Sequence, residues 1–311
     1  MSLITTPFGK RATASEVLAG VDLSGRRMIV TGGASGLGVE TVRALAGAGA
    51  EVTVAVRDPA AADWLVKEVP GARAAALDLT DPASVRAFCA DWTGPLDALV
   101  ANAGVMMLPT RQVTAQGWEA QLDTNYLGHF ALAVGLRDAL RQAGTSRVVV
   151  LSSGAQLRCG FDFEDPQFEH RPYDPFTAYA QSKTADVLLA VGIARKWAED
   201  GITANACAPG WIHTNLTRHL DPATMRAFGA MDDDGNLLTP DYYKTPAEGA
   251  ATTVLLAGSP LLDGVSGRYF EDNQESAVVA GGPDVMEGVA AWSADPAAAD
   301  RLWDLAYPLV A

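Results

Sequence analysis

The chain has 311 residues, with 23 Lys plus Arg against 37 Asp plus Glu, a formal charge of −14 at pH 7. Nucleic acid and anionic membrane surfaces are excluded as partners, because both are bound through a basic face. With 49% hydrophobic and 19% charged residues, and 30 Gly and 17 Pro spread along the chain, the composition is that of a globular protein rather than a disordered or fibrous one.

Residues 1–27 hold Lys10, Arg11, Arg26 and Arg27 but no apolar core of signal-peptide length, and no later run reaches the ~18 apolar residues of a membrane span. Cys89, Cys159 and Cys207 have no CxxC spacing, so neither a disulfide framework nor a thiolate metal site is encoded. A cytoplasmic, soluble protein is expected. Short apolar, β-branched runs then recur at Met28–Val30, Val52–Val56, Ala74–Leu79, Ala98–Ala101, Val148–Leu151 and Ile202–Cys207, with a last short strand near Gly267–Phe270. Continuous runs of this kind suit strands covered on both faces, as in a parallel sheet. Helical patterns lie between them at 36–50, 60–68, 82–91, 115–142, 177–199 and 246–257. The β-α repeat and the right-handed crossover rule predict an α/β fold, a Rossmann-type doubly wound parallel sheet of about seven strands in a three-layer α/β/α sandwich. No linker divides the series, so one domain over 1–311 is expected.

At the first β-α junction stands TGGASGLG, residues 31–38, where Gly32, Gly36 and Gly38 directly precede a helix. Glycines at this spacing let backbone approach a pyrophosphate and aim helix N-terminal N–H groups at it, making Gly32, Ser35, Gly36, Leu37 and Gly38 candidate dinucleotide contacts. The second strand ends Val56-Arg57-Asp58. A guanidinium there can hold a 2′-phosphate bidentately, which favours NADP; an inward-turned Asp58 would instead accept the ribose 2′-hydroxyl, so NAD stays possible. Asp78 and Leu79 close the third strand, and Asn102, Ala103 and Gly104 the fourth, where ligands bind in open α/β sheets. An Asx turn is the competing role for Asp78 and Asn102.

The fifth strand ends in Ser152-Ser153, and Tyr179-Ala-Gln-Ser-Lys183 follows on a helical segment. Tyrosine and lysine four apart share a helix face. A free phenol has a pKa of ~10; lowering it by some three units takes about 4 kcal/mol, and a close Lys183 ammonium is the expected source of much of it. His213 and His219 are too weakly patterned for a metal pair, the Asp232–Asp234 run lacks EF-hand spacing, and no metal is expected.

TGxxxGxG, Asn-Ala-Gly, the Ser-Ser strand end, Y-x-x-x-K, and Pro209-Gly210 followed by Thr214 occur here in one order. Together they resemble the short-chain dehydrogenase/reductase superfamily over roughly residues 24–270, and NYLGHF at 125–130 with the RLWDLA ending resembles its retinol-dehydrogenase-like branch. The resemblance implies an NADP-dependent oxidoreductase interconverting an alcohol with a ketone or aldehyde. It makes Tyr179 the general acid/base, gives Ser153 rather than Ser152 the substrate oxygen, and places Lys183 on the nicotinamide ribose. Asn125 is implied to anchor a water, Ile212 to hold the carboxamide through its backbone, Thr214 to lie by the phosphates, and Pro209 and Gly210 to belong to the cofactor site. A homodimer or homotetramer is expected, with a small-molecule substrate that is a medium-sized apolar alcohol or carbonyl compound. Within the 25–270 core, residues 213–245, with Trp211, Leu216, Leu220, Met225, Phe228 and Met231, are expected to form a substrate lid. Phe161, Phe163 and Phe168 are expected to form a second wall, and 271–311 a C-terminal extension with a helix near Ala297–Leu309. A silent dinucleotide-binding sensor or scaffold is the alternative, although it would need none of Asn125, Ser153, Tyr179 and Lys183. A sugar-nucleotide epimerase is disfavoured by Val39 in place of a third loop glycine.

Overall fold

The computed structural model describes residues 2–310. Its strands are β1 (Arg27–Thr31), β2 (Glu51–Val56), β3 (Ala72–Ala76), β4 (Ala98–Ala101), β5 (Ser146–Leu151), β6 (Ile202–Ala208), β7 (Tyr269–Glu271) and β8 (Gln274–Glu275), in one sheet of order β3-β2-β1-β4-β5-β6-β7-β8. The first seven run parallel and β8 returns antiparallel. The eighth strand exists because Asp272 and Asn273 both take positive φ, 52° and 66°, the two-residue geometry that turns a hairpin tightly. A separate pair, β9 (Val278–Val279) and β10 (Val289–Ala290), follows it.

The helices are α1 (Ala14–Val17), α2 (Leu37–Gly47), α3 (Asp63–Glu68), α4 (Pro82–Asp91), α5 (Ala120–Leu122), α6 (Gly128–Gly135), α7 (Arg137–Gln142), α8 (Pro175–Lys196), α9 (Pro222–Ala227), α10 (Pro246–Gly249), α11 (Ala251–Gly258) and α12 (Pro296–Val310). Alternation along the strands divides the core in two. Ile29, Leu99, Val148 and Val150 face one layer with Phe130, Leu188 and Trp303, whereas Met28, Val30, Val100 and Val149 face the other with Leu45 and Leu255. Both faces are covered, so the strands read as unbroken apolar runs.

Several elements differ from the sequence pattern, and two of the differences have a local cause in capping side chains. The third strand ends at Ala76, because Asp78 Oδ1 accepts from Thr80 N and turns the chain out of the ladder. The 115–142 stretch is not one helix. It begins at Ala120, where Glu119 caps it by accepting from Gln121 N and Leu122 N, and it passes through a π turn at Asp123–Leu127 before α6 and α7. At the far end, Trp303 of α12 meets Phe130 edge-on at 4.8 Å and Trp197 at 5.5 Å. Gly192 makes room on α8 for that indole, since a Cβ there would stand 3.1 Å from it.

Candidate active site

The carboxyl ends of the central strands open into one cleft of about 1720 Å³. Gly32, Ser35, Gly36, Leu37, Arg57, Asp78 and Leu79 line one half of it. Asn102–Gly104, Ser153, Tyr179, Lys183, Pro209, Gly210, Ile212 and Thr214 continue the lining. Gly38 and Asn125 are not among its lining residues.

The glycine loop is shaped by close approach. Gly36, at φ 54°, is the N-cap of α2 and makes no side-chain cap, so no side chain covers the first turn of that helix, where Gly38 N donates to Ser35 O at 3.1 Å. A Cβ on Gly36 would sit 3.3 Å from Thr214 across the cleft. At Gly38 a Cβ would fall 2.5 Å from Gly32 O and 2.7 Å from Gly33 Cα, so this glycine lets helix pack on loop. Uncapped helix N–H groups beside a cradle that side chains would fill fit the pyrophosphate of a dinucleotide.

At the end of β2, Asp58 Oδ1 accepts from Ala60 N and caps the next turn. Arg57 is exposed, lines the cleft and, among the described residues, has no hydrogen-bonded or ionic partner. Asp78 spends one carboxylate oxygen on Thr80 N and Oγ1, at 2.9 and 2.8 Å, while still bordering the cleft. Asn102 Nδ2 donates to Thr31 O at 2.7 Å, tying the end of β4 to β1.

The two serines are separated by their partners. Ser152 donates to Lys183 O at 2.7 Å and is buried, whereas Ser153 borders the same cleft as Tyr179 and caps Ala155 N. α8, entered through Pro175 and capped by Asp174, carries Tyr179 and Lys183 on one face, with Lys183 Nζ 5.8 Å from the phenol ring. Tyr179 is 5% exposed. Burial pushes its pKa up, the Lys183 ammonium and Ser153 hydroxyl pull it down, and Asp186 pushes it up again. A Lys at i+4 therefore does not by itself yield an acidic phenol here: desolvation is the larger effect, and the ammonium is already paired.

Asn125 sits in the π turn, the kind of helix irregularity found at functional sites. Its Oδ1 accepts from Val105 N at 2.8 Å, and its Nδ2 donates to Val105 O and Ser182 Oγ. His129, one turn on, was not singled out by motif reasoning. Its Nδ1–H donates to Asn125 O at 2.8 Å, and its Nε2 accepts from Thr31 Oγ1 at 2.8 Å. Thr31 Oγ1 in turn accepts from Asn102 N and Ala103 N, so one chain of hydrogen bonds links β1, β4 and the π turn.

Lys244 was also missed. It is buried, lines the cleft, and pairs with Asp272 at 2.5 Å. Trp211, Leu216, Leu220, Met225 and Phe228 line the cleft mouth. The expected wall of Phe161, Phe163 and Phe168 does not form. Phe161 and Phe163 pack edge-on at 4.9 Å with Arg301 over Phe163, and Phe168 turns to Tyr173 and Arg171. Phe176, at the start of α8, takes that place and faces Phe228 at 6.4 Å. His213 lies on Tyr243 and donates to Leu238 O. Among the described residues, no group of three His, Cys, Asp or Glu could hold a metal ion, and no helix is long and apolar enough to cross a membrane. What the cleft offers chemically is a hydroxyl and a phenol that can hold one oxygen and exchange a proton with it, beside a cradle for a dinucleotide.

The sequence profile described as short chain dehydrogenase matches residues 26–224. A protein of Streptomyces antibioticus called "Probable oxidoreductase" is 64% identical over 290 residues, covering 91% of this chain and 97% of its own. Human retinol dehydrogenase 14 is 34% identical, covering 93% and 87%. Among solved structures, a gluconate 5-dehydrogenase from Burkholderia cenocepacia J2315 in complex with NADP and tartrate superposes with a TM-score of 0.62 at 26% identity, covering 81% and 95%.

Proposed function

The chain belongs to the short-chain dehydrogenase/reductase family and is a dinucleotide-dependent oxidoreductase; from that premise we propose that it uses NADP to interconvert an apolar alcohol with its ketone or aldehyde, with Tyr179 as general acid/base. The observation that carries this reading is the placement of Ser153, Tyr179 and Lys183 in the same cleft as the uncapped N-terminus of α2. The nicotinamide of the bound cofactor supplies or takes the hydride at the substrate carbon. In reduction, Ser153 Oγ–H holds the carbonyl oxygen and Tyr179 O–H gives it the proton; in oxidation the phenolate takes the proton back. Lys183 would hold the nicotinamide ribose and favour the phenolate. Asn125, fixed to Val105 on both sides of its amide, would hold the adjoining turn and the water next to it. Gly32, Ser35, Gly36, Leu37 and Thr214 would hold the phosphates, Pro209, Gly210 and Ile212 the carboxamide, and Asn102–Gly104 and Asp78–Leu79 the adenosine half.

The NADP preference is supported by Arg57, without an ionic or hydrogen-bonded partner among the described residues, together with the engagement of Asp58 Oδ1 in a backbone cap, which occupies one oxygen of the carboxylate that would select NAD. The 213–245 segment would close over substrate as a lid. Its aromatic and methionine lining, with Met106, Met107 and Phe176 opposite, supports an apolar substrate. The test is consumption of NADPH and NADH across a panel of aldehydes and ketones with the wild type and Tyr179→Phe. Turnover with NADPH, reduced roughly 10²–10⁴-fold in Tyr179→Phe by loss of general acid–base catalysis, is the expected result. Undiminished turnover in that variant refutes the assignment.

A further inference from the structure

Lys183 is held from behind. Its Nζ donates to Asp186 Oδ2 at 2.7 Å and to Leu151 O at 2.9 Å. Asp186 follows at i+3, one turn along α8, so the helix places ammonium and carboxylate on one face. The two side chains are only 7% and 1% exposed. The second carboxylate oxygen, Oδ1, is buried without a hydrogen-bond partner. A carboxylate that deep is costly, and one left with an unpaired oxygen more so, so the packing of α8 alone gives no reason for it. What its charge does is face the two side chains on which the proposed chemistry rests.

We propose that Asp186 is a positioning residue for the reaction: it fixes Lys183 Nζ beneath Tyr179 and, by cancelling part of the ammonium's charge, sets the pH at which Tyr179 releases its proton. This rests on the reading of Tyr179 as the acid/base. The titratable groups around the pair are Tyr179 on the same helix, Tyr126 and His129 from the π turn and α6, and Cys207 of β6. Of these, Tyr126 and Tyr179 are pushed up chiefly by burial, with the Asp186 charge adding in the same direction. For Asp186 itself, desolvation outweighs the pull of Lys183 and raises its pKa well above the usual carboxylate range. Replacing the charge by a neutral amide of the same shape leaves the ammonium unopposed, which stabilises the Tyr179 phenolate.

The experiment is the pH profile of kcat/KM for alcohol oxidation at saturating cofactor in wild type, Asp186→Asn and Asp186→Ala. Both variants should move the limb assigned to Tyr179 to lower pH, by about one pH unit for removal of one nearby charge. Asp186→Ala, which also removes the anchor, should in addition raise the KM for cofactor. A pure packing role would lower activity evenly and leave the profile where it was; superimposable profiles overturn the proposal. Thermal unfolding of Lys183→Met, Asp186→Asn and the double variant gives an answer independent of turnover. A double variant more stable than Lys183→Met establishes the charge coupling, and additive losses refute it. If Tyr179→Phe keeps full activity, the assignment of Tyr179 fails; if that variant is dead but the Asp186→Asn profile is unmoved, only the role of Asp186 fails.

Discussion

Acid should loosen this protein at a defined place. His129 is fully buried, and desolvation drives its pKa from 6.5 down to about 4. It stays neutral in the folded state because its Nδ1–H is given to Asn125 O and its Nε2 takes the Thr31 hydroxyl. As pH falls below 6.5, the unfolded chain binds a proton at this imidazole that the folded chain refuses until about pH 4. Stability from this group is therefore complete above 6.5 and is lost as pH falls through the window between the two values. At ~1.36 kcal/mol per pH unit, the loss is about 2 kcal/mol at pH 5 and about 3 kcal/mol once pH is below 4. Urea unfolding of wild type and His129→Gln at pH 7 and pH 5 measures it. The variant should be less stable at pH 7, because polar partners lose a well-placed bond, but its further loss on going to pH 5 should be smaller than that of the wild type by about 2 kcal/mol. Buried carboxyls such as Asp123 and Glu271, whose pKa values burial raises, titrate in both proteins and cancel in the comparison. Parallel stability curves would refute the assignment of a neutral, desolvated His129.

Two further outcomes concern the nucleotide end. Arg57→Ala should weaken NADPH binding roughly 10- to 100-fold, the worth of a charged hydrogen bond of about 1.5–3 kcal/mol, and NADH binding about twofold at most; equal losses in paired fluorescence titrations would refute the 2′-phosphate assignment. Gly38→Ala places a methyl 2.5 Å from Gly32 O and 2.7 Å from Gly33 Cα, both backbone atoms that cannot swing aside. It should cost about 1–3 kcal/mol of stability and remove most dinucleotide affinity by displacing the loop, and wild-type affinity in this variant would show that the loop does not cradle the cofactor.

The sheet was legible because strands covered on both faces announce themselves as apolar runs, and the glycine loop because its close approaches admit no side chain. Tyr179 and Lys183 were legible because helix spacing is local. What surrounds them was not. Asp186 reads as an ordinary polar position in a helix until α8 is packed against β5 and β6, and desolvation, which then dominates the pKa of Tyr179, is invisible in a spacing of four. His129 passes as part of an apolar run, since its partners Thr31 and Asn125 come from two other segments. Phe161, Phe163 and Phe168 carried the right chemistry for a wall, but a loop without periodicity gives no direction to its side chains. Phe176 was overlooked beside them because only the start of α8 turns it toward Phe228.

The net charge of −14 and the polyanionic cofactor are reconciled locally. Surface charges act over a Debye length of about 8 Å at physiological salt, so carboxylates scattered over the molecule are screened at the cleft, while backbone dipoles that touch the ligand are not. The buried lysines of the cleft contribute less than their number suggests, since Lys183 is paired with Asp186 at 2.7 Å and Lys244 with Asp272 at 2.5 Å. A pyrophosphate would then be met chiefly by the N-terminus of α2, equivalent to roughly half a positive charge, and by N–H groups that Gly36 leaves uncapped. Those groups see the part of the ligand that NAD and NADP share. Under the proposed NADP preference, Arg57, which among the described residues has no ionic or hydrogen-bonded partner, would meet the part in which they differ.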